Sequence, residues 1–301
     1  MLYNIKNVLG SGSFGKVFLG ENKADTSHKV AIKVISKSKL SEEEIESLHF
    51  EVAILQQVDH PNIVKYYETY EDEKFVYLVM ELCPGGELIE KLSVNKSMTE
   101  NMAAEAIEKL IRALIHCHKQ NIVHRDIKPE NVMYDSNNEV KLIDFGLAKQ
   151  VAENKTLHTI AGTPYFIAPE VLNGNYGREC DYWSVGVLLY LLVTGQYAFD
   201  SVTKNRTEVF NKIKSGSFSF PDSVNNKLSS ECKDLINKMI VVDKKKRITG
   251  EEALNHSWFE KCLKKKDQVI PIDESVLAKL RLFKGSSLLK RAAMNLLVKM
   301  L

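Results

Sequence analysis

The chain has 301 residues, 44% of them apolar and 27% charged, and its 41 Lys+Arg against 39 Asp+Glu leave a net charge of +2. That is enough length to bury a full core, and so even a charge balance excludes a general polyanion binder, so no nucleic-acid partner is expected. The longest purely apolar stretch, residues 185–193, is half of the roughly 18 residues that span a bilayer, and no signal-peptide pattern or Met-Gly start opens the chain.

The first 35 residues read as three strands, 3–9, 16–20 and 29–35, separated by Gly-rich or polar turns. Ser41 followed by Glu44 predicts a capping box. Ile45, Leu48, Val52 and Leu55 then recur at helical spacing. Residues 63–70 and 75–82 read as two more strands, and Cys83-Pro84-Gly85-Gly86 breaks the pattern as a linker would. Beyond it the periodicity is helical. Residues 99–120 are amphipathic, 182–193 are apolar nearly all round and so buried, and 229–241 and 250–261 form shorter helices. The five cysteines (Cys83, Cys117, Cys180, Cys232, Cys262) are scattered without CxxC spacing. They suit buried thiols in a reducing compartment, which predicts a cytoplasmic location.

Four groups of residues could carry chemistry. Gly10-Ser-Gly12-Ser-Phe-Gly15-Lys-Val17 lies between two strands, where glycines bring backbone N–H groups close to phosphate oxygens; an ordinary Gly-rich turn has the same composition. Lys33 sits mid-strand in Val30-Ala31-Ile32-Lys33 and needs a partner if buried. Glu51, on the inward face of the helix that follows Ser41, offers one; the alternative is two unrelated charges reaching outward. His124-Arg125-Asp126-Ile127-Lys128-Pro129-Glu130-Asn131 gathers a carboxylate, a lysine and an amide in a loop. Asp144-Phe145-Gly146 follows the strand-like residues 140–143, and Ala168-Pro169-Glu170 comes later. Asn131 and Asp144 are hard oxygen ligands suited to Mg²⁺. Two histidines two apart, His116 and His118, do not share a helix face and make a poor metal pair. Asp135-Ser-Asn137-Asn-Glu139 lacks the glycine and the closing glutamate of a calcium loop and reads as a β-turn.

This ordered series resembles the eukaryotic-type protein kinases over roughly residues 3–260, and Lys128 to Asn131 with Gly162-Thr163-Pro164-Tyr165 resemble the Ser/Thr branch. The resemblance implies an α+β, bilobal kinase fold: a β-rich N-lobe over residues 1–82, a hinge at about 81–86 and a mainly α C-lobe over 83–263. It implies ATP and Mg²⁺ as cofactors and protein substrates. Gly10, Gly12 and Gly15 would cover the phosphates, and Lys33, held by Glu51, would hold them. Asp144 and Asn131 would carry the metal, Asp126 would accept the substrate proton, Lys128 would neutralise charge, and Thr163 would position both. Leu9, Val17, Ala31, Met80 and Met133 would line the adenine slot, with backbone of Glu81 and Cys83 bonding the base. Glu87 and Glu130 would favour basic substrates, or would be a solvated surface. Asp181 with Trp183 would brace the catalytic loop, and Glu170 would pair with Arg247. Arg125 could receive a phosphate carried on Thr156 or Thr159, or the segment could order itself unaided.

Residues 260–301 hold ten Lys/Arg and four acids, and from Leu288 apolar pairs recur every four residues with Lys290, Arg291 and Lys299 between them. Such a basic amphipathic helix is what calmodulin-like domains grip; a helix packed permanently on the large lobe would share the pattern. With Phe283-Lys284-Gly285-Ser286, residues 264–301 resemble the autoinhibitory junction of calcium-dependent protein kinases. That family carries a calmodulin-like EF-hand domain in the same chain. No EF-hand loop occurs before Leu301, so the expectation is a chain cut short of its sensor, with that domain or separate calmodulin as partner at 283–301. A nucleotide-binding pseudokinase is the less favoured alternative, because Lys33, Glu51, Asp126, Asn131 and Asp144 are all in place.

Overall fold

The computed structural model describes residues 1–11, 15–90, 99–151, 156–159, 161–201 and 205–264. Five strands open the chain: β1 (Tyr3–Ser11), β2 (Gly15–Asn22), β3 (Lys29–Ser36), β4 (Tyr66–Glu71) and β5 (Phe75–Glu81). They form one antiparallel sheet in the order β1-β2-β3-β5-β4. Its register separates two faces, because side chains alternate along a strand and paired residues share a side. Val30, Ile32 and Val79 bury on the outer face with Tyr3. Ala31, Lys33 and Ile35 pair with Met80, Leu78 and Val76 on the inner face, and Val17 lies opposite Lys33. Gly15 is required where β2 starts, since a Cβ there would lie 2.0 Å from the Val34 carbonyl oxygen.

Helix α1 (Glu42–Gln57) packs under this inner face. Ser41 accepts from the Glu44 N–H while the Glu44 carboxylate accepts from the Ser41 N–H, so the predicted capping box is formed. Leu48, Ile54 and Leu55 bury with Glu51 beside them.

The rest is helical: α2 (Glu100–Lys119), α3 (Pro169–Leu172), α4 (Glu179–Thr194), α5 (Arg206–Ser215), α6 (Asp222–Asn225), α7 (Ser230–Met239), α8 (Gly250–Leu254) and α9 (Ser257–Lys264). Helix α4 is the core element. It is buried on every side, as its apolar sequence predicts, with Trp183 stacked on Phe199 at 5.4 Å. Glu100, the first residue of α2, accepts hydrogen bonds from the N–H and hydroxyl of Ser229 and from the Trp258 indole (2.6–2.7 Å). It thereby ties α7 and α9 to α2. Two short ribbons complete the fold, β6 (Ile122–Val123) with β9 (Lys149–Gln150), and β7 (Val132–Tyr134) with β8 (Val140–Leu142).

Two expectations from sequence need correction. Residues 250–261 are not one helix. Asn255 closes α8, and the His256 ring accepts the Trp258 N–H and so starts α9 afresh. Residues 63–65 do not belong to β4. Leu142 donates its N–H to Asn62 and accepts from Val64, so this stretch pairs with β8 of the helical lobe.

Candidate active site

The site is built where α1, the β3 strand and the loops after β6 and β8 meet. Lys33 Nζ lies 2.8 Å from Glu51 Oε1 and 3.3 Å from Asp144 Oδ1. The sequence alternative of two unrelated charges is thereby removed. Burial alone would lower the Lys33 pKa, but the Asp144 and Glu51 carboxylates outweigh it and hold the ammonium above the ordinary lysine value. Lys33 in turn pulls Asp144 down to about 2, with help from Lys128. Burial raises Glu51, opposed by Lys33.

Asp126 is fixed from three sides. Lys128 Nζ lies 2.5 Å from its Oδ2, the Thr163 hydroxyl donates to its Oδ1 at 2.9 Å, and Asn131 Nδ2 donates to its carbonyl at 2.8 Å and to Oδ2 at 3.0 Å. Both Asn131 amide protons are thus committed to Asp126, which leaves the amide oxygen as its ligating end. Asp144 gives Oδ1 to Lys33 and to the Gly146 N–H. An amide oxygen and a carboxylate form a hard donor set that fits Mg²⁺ with triphosphate and water completing its shell.

The loop is held from behind by Asp181, on the first turn of α4. Its carboxylate accepts the N–H groups of His124 (3.0 Å) and Arg125 (2.8 Å) and meets His118 Nε2 at 2.8 Å. Burial would raise Asp181, but His118 and its other donors keep it below the usual carboxylate range. Trp183 turns the other way, stacked on Phe199 with the Arg247 guanidinium 5.2 Å from its ring. Arg247 grips Glu170 with two nitrogens at 2.5 and 2.9 Å. His116 bonds Gln120 while His118 bonds Tyr182 and Asp181, so the two histidines diverge. The Asp135 carboxylate caps the N–H groups of Asn137 and Glu139 in the turn before β8.

Arg125 and Asp144 both adopt left-handed backbone, with φ of 69° and 60°. Non-glycine residues rarely do so, and such strain collects at working sites. His124 is fully buried, with Nε2 3.3 Å from the Ile143 carbonyl and its ring edge-on to Phe145 at 4.8 Å. Burial keeps its pKa below 6.5, against the pull of Asp181, Asp126 and Asp144. A histidine buried neutral contributes stability that is whole above about pH 6.5 and is lost as pH falls below it, at up to about 1.4 kcal/mol per pH unit. His60, lowered by burial and by His116, acts in the same direction. Thermal midpoints taken from about pH 7 down to about pH 5 fall in the native chain, and fall less steeply in His124→Asn. A flat native profile contradicts this.

The remaining site residues divide by location. Val17, Ala31 and Met80 share the inner face with Lys33. Leu9 is half exposed on β1, and Gly10 lies opposite Val17. Met133 on β7 bridges Glu87, and Gly85 and Gly86 bond the Tyr134 backbone, so residues 85–87 run beside β7. Cys83 is buried, and its thiol is pushed up to about 12. Glu87 and Glu130 are half-buried. Gly12 and the tail segment 283–301 lie outside the described residues. Sequence reasoning missed Lys141, whose Nζ lies 2.8 Å from Glu81 Oε1 and 3.8 Å from Asp135 Oδ2. Its signal was a lysine alternating with apolar residues in a strand, the same signal as Lys33.

Residues 3–259 match the family described as the protein kinase domain. Calcium-dependent protein kinase 5 of Plasmodium falciparum (isolate 3D7) is 43% identical over 256 residues, 84% of this chain and 44% of that protein. Calcium-dependent protein kinase 4 of the same organism is 39% identical over 295 residues, 95% of this chain and 55% of that protein. Myosin light chain kinase A of Dictyostelium discoideum is 42% identical over 263 residues, 86% of this chain and 88% of that protein. The chain therefore spans about half the length of the calcium-dependent relatives it matches. With a matching domain across most of its length and these identities, the chain belongs to the protein kinase family, on the Ser/Thr side where the calcium-dependent kinases lie.

Proposed function

We propose that this chain transfers the γ-phosphoryl group of ATP to Ser or Thr hydroxyls of protein substrates. One observation carries the reading: Asp126 is fixed by Lys128, Asn131 and Thr163 at the cleft where Lys33 joins Glu51 to Asp144. Asp126 orients the substrate hydroxyl and takes its proton. The freed oxygen bonds to the γ-phosphorus as the bond to the β-phosphate oxygen breaks, and ADP leaves. Lys33 holds the α- and β-phosphates, and Lys128 offsets charge on the moving group. Asp144 and Asn131 are the residues that would hold Mg²⁺, which when bound neutralises triphosphate charge. Glycines 10, 12 and 15 cover the phosphates. Leu9, Val17, Ala31, Met80 and Met133 enclose the adenine, bonded by backbone of Glu81 and Cys83.

Residues 1–82 and 83–263 act as the two lobes, and 264–301 as a regulatory tail. Glu87 and Glu130 select substrates with basic residues near the phosphoacceptor. Calcium reaches the enzyme through the tail, where an EF-hand domain or calmodulin takes the basic, apolar-paired segment 283–301. Two facts support this last part. Several relatives are named calcium-dependent kinases. The match to Plasmodium falciparum calcium-dependent protein kinase 4 takes in 95% of this chain, so it runs beyond Lys264 into the tail.

The test is radiolabelled phosphate incorporation from Mg²⁺-ATP into Ser peptides with and without arginines, using residues 1–301 and 1–263. Incorporation is expected, higher on the arginine peptide, and higher again when the tail is removed or when calcium-loaded calmodulin is added to the full chain. Incorporation that survives Asp144→Ala overturns the mechanism. Equal rates for the two lengths, with or without calmodulin, overturn the tail's inhibitory role.

A further inference from the structure

The catalytic loop has a second tie that its mechanism does not use. Arg125 is buried, and its guanidinium donates to two neutral oxygens: Nε to the Leu147 carbonyl at 2.5 Å and Nη1 to the Tyr176 hydroxyl at 3.0 Å. Tyr176 is wholly buried, and its hydroxyl donates onward to the Thr159 carbonyl at 2.5 Å. Burial keeps this phenol protonated, opposed by Arg125. Around the relay, residues 157–158 are zipped to 174–176. Leu157 and Tyr176 exchange backbone hydrogen bonds of 2.8 and 3.3 Å, and His158 Nδ1 meets the Gly174 carbonyl at 2.7 Å. Gly162 then passes so close to the catalytic loop, at φ 115°, that a Cβ on it would come within 2.8 Å of the Arg125 carbonyl oxygen. The next residue is Thr163, whose hydroxyl donates to Asp126.

We propose that Tyr176 is a positioning residue, which seats residues 157–159 on Arg125 so that Gly162 and Thr163 arrive at Asp126. A cation beneath a substrate-binding segment is a ready partner for a phosphate on Thr156 or Thr159. Here the tyrosine hydroxyl occupies that cation with a neutral partner and passes the bond on to the segment itself. The proposal rests on the kinase reading for its consequence in rate, and on the geometry alone for the tie.

The experiment uses the full chain, phosphatase-treated and confirmed unphosphorylated by mass, with three variants: Tyr176→Phe, Arg125→Met and the pair together. Loss of a hydrogen bond to a charged group predicts that Tyr176→Phe lowers kcat/KM for peptide about tenfold, with KM for ATP unchanged. Amide exchange at residues 157–163 speeds up, while α4 stays protected. In the Arg125→Met background the Tyr176 change adds nothing further. Phosphatase treatment itself leaves the rate of the native chain unchanged, because the tie needs no phosphate. The proposal is overturned if Tyr176→Phe leaves the rate unchanged, whatever the exchange shows, or if its effect adds to that of Arg125→Met. It is equally overturned if phosphatase treatment costs the native chain tenfold in rate, for then a phosphate holds the segment. Should the native chain transfer no phosphate at all, the kinase reading fails, and the exchange comparison alone decides whether the tie exists.

Discussion

Asp126→Asn lowers kcat for phosphoryl transfer by about a thousandfold, the middle of the range for removing a general base, while KM for ATP stays within about twofold. The substitution is close to isosteric. The Asn131 bond to the backbone carbonyl of residue 126 survives, and Thr163 can still donate to an amide oxygen. What disappears is the proton acceptor, together with the charge that balances Lys128. Steady-state transfer to a Ser peptide reads the loss, and an unshifted thermal midpoint shows that the fold is intact. A variant that kept more than about a tenth of the native kcat would remove Asp126 from the role of base.

Arg247→Met costs about 3–5 kcal/mol of stability, the range for stripping one partner from a buried ion pair. For a domain of this size that is on the order of 10 °C in the thermal midpoint. The Arg247 side chain is fully buried and carries four further obligations beside Glu170. It donates once to the Glu179 carbonyl and twice to that of Val241, and it lies over Trp183. Removing it strands the Glu170 carboxylate and takes one donor from the Glu179 carbonyl and two from that of Val241. Arg247→Met combined with Glu170→Leu recovers part of the loss, because the orphaned charge goes too. Calorimetry of the native chain and both variants decides. A pair that is no more stable than the single variant would show that the cost lies in packing and the carbonyls.

Much of this is legible in the sequence. Glu51 on the apolar face of α1 asked for a cation, and Lys33 on an apolar strand asked for an anion. They meet at 2.8 Å because helix and strand periodicities both aim inward. The Ser41–Glu44 cap is local, and local chemistry is visible in local sequence. What could not be read depends on elements meeting at a distance. Residues 63–65 have strand-forming side chains, but which strand they join depends on where β8 lies. The break at His256 depends on the ring turning back to cap Trp258, which helical spacing cannot signal. Tyr176 gave no sign of serving Arg125, 51 residues earlier, because a buried tyrosine in a loop reads as packing.

The bridge from Glu51 through Lys33 to Asp144 carries a thermodynamic obligation. One ammonium serves a helix of the small lobe and a loop of the large one, so whatever takes hold of Lys33 or Asp144 also changes how firmly α1 is seated. Linkage makes the traffic reciprocal. A partner that pressed α1 home would tighten nucleotide by the same factor by which nucleotide tightened that partner, although the two would never touch.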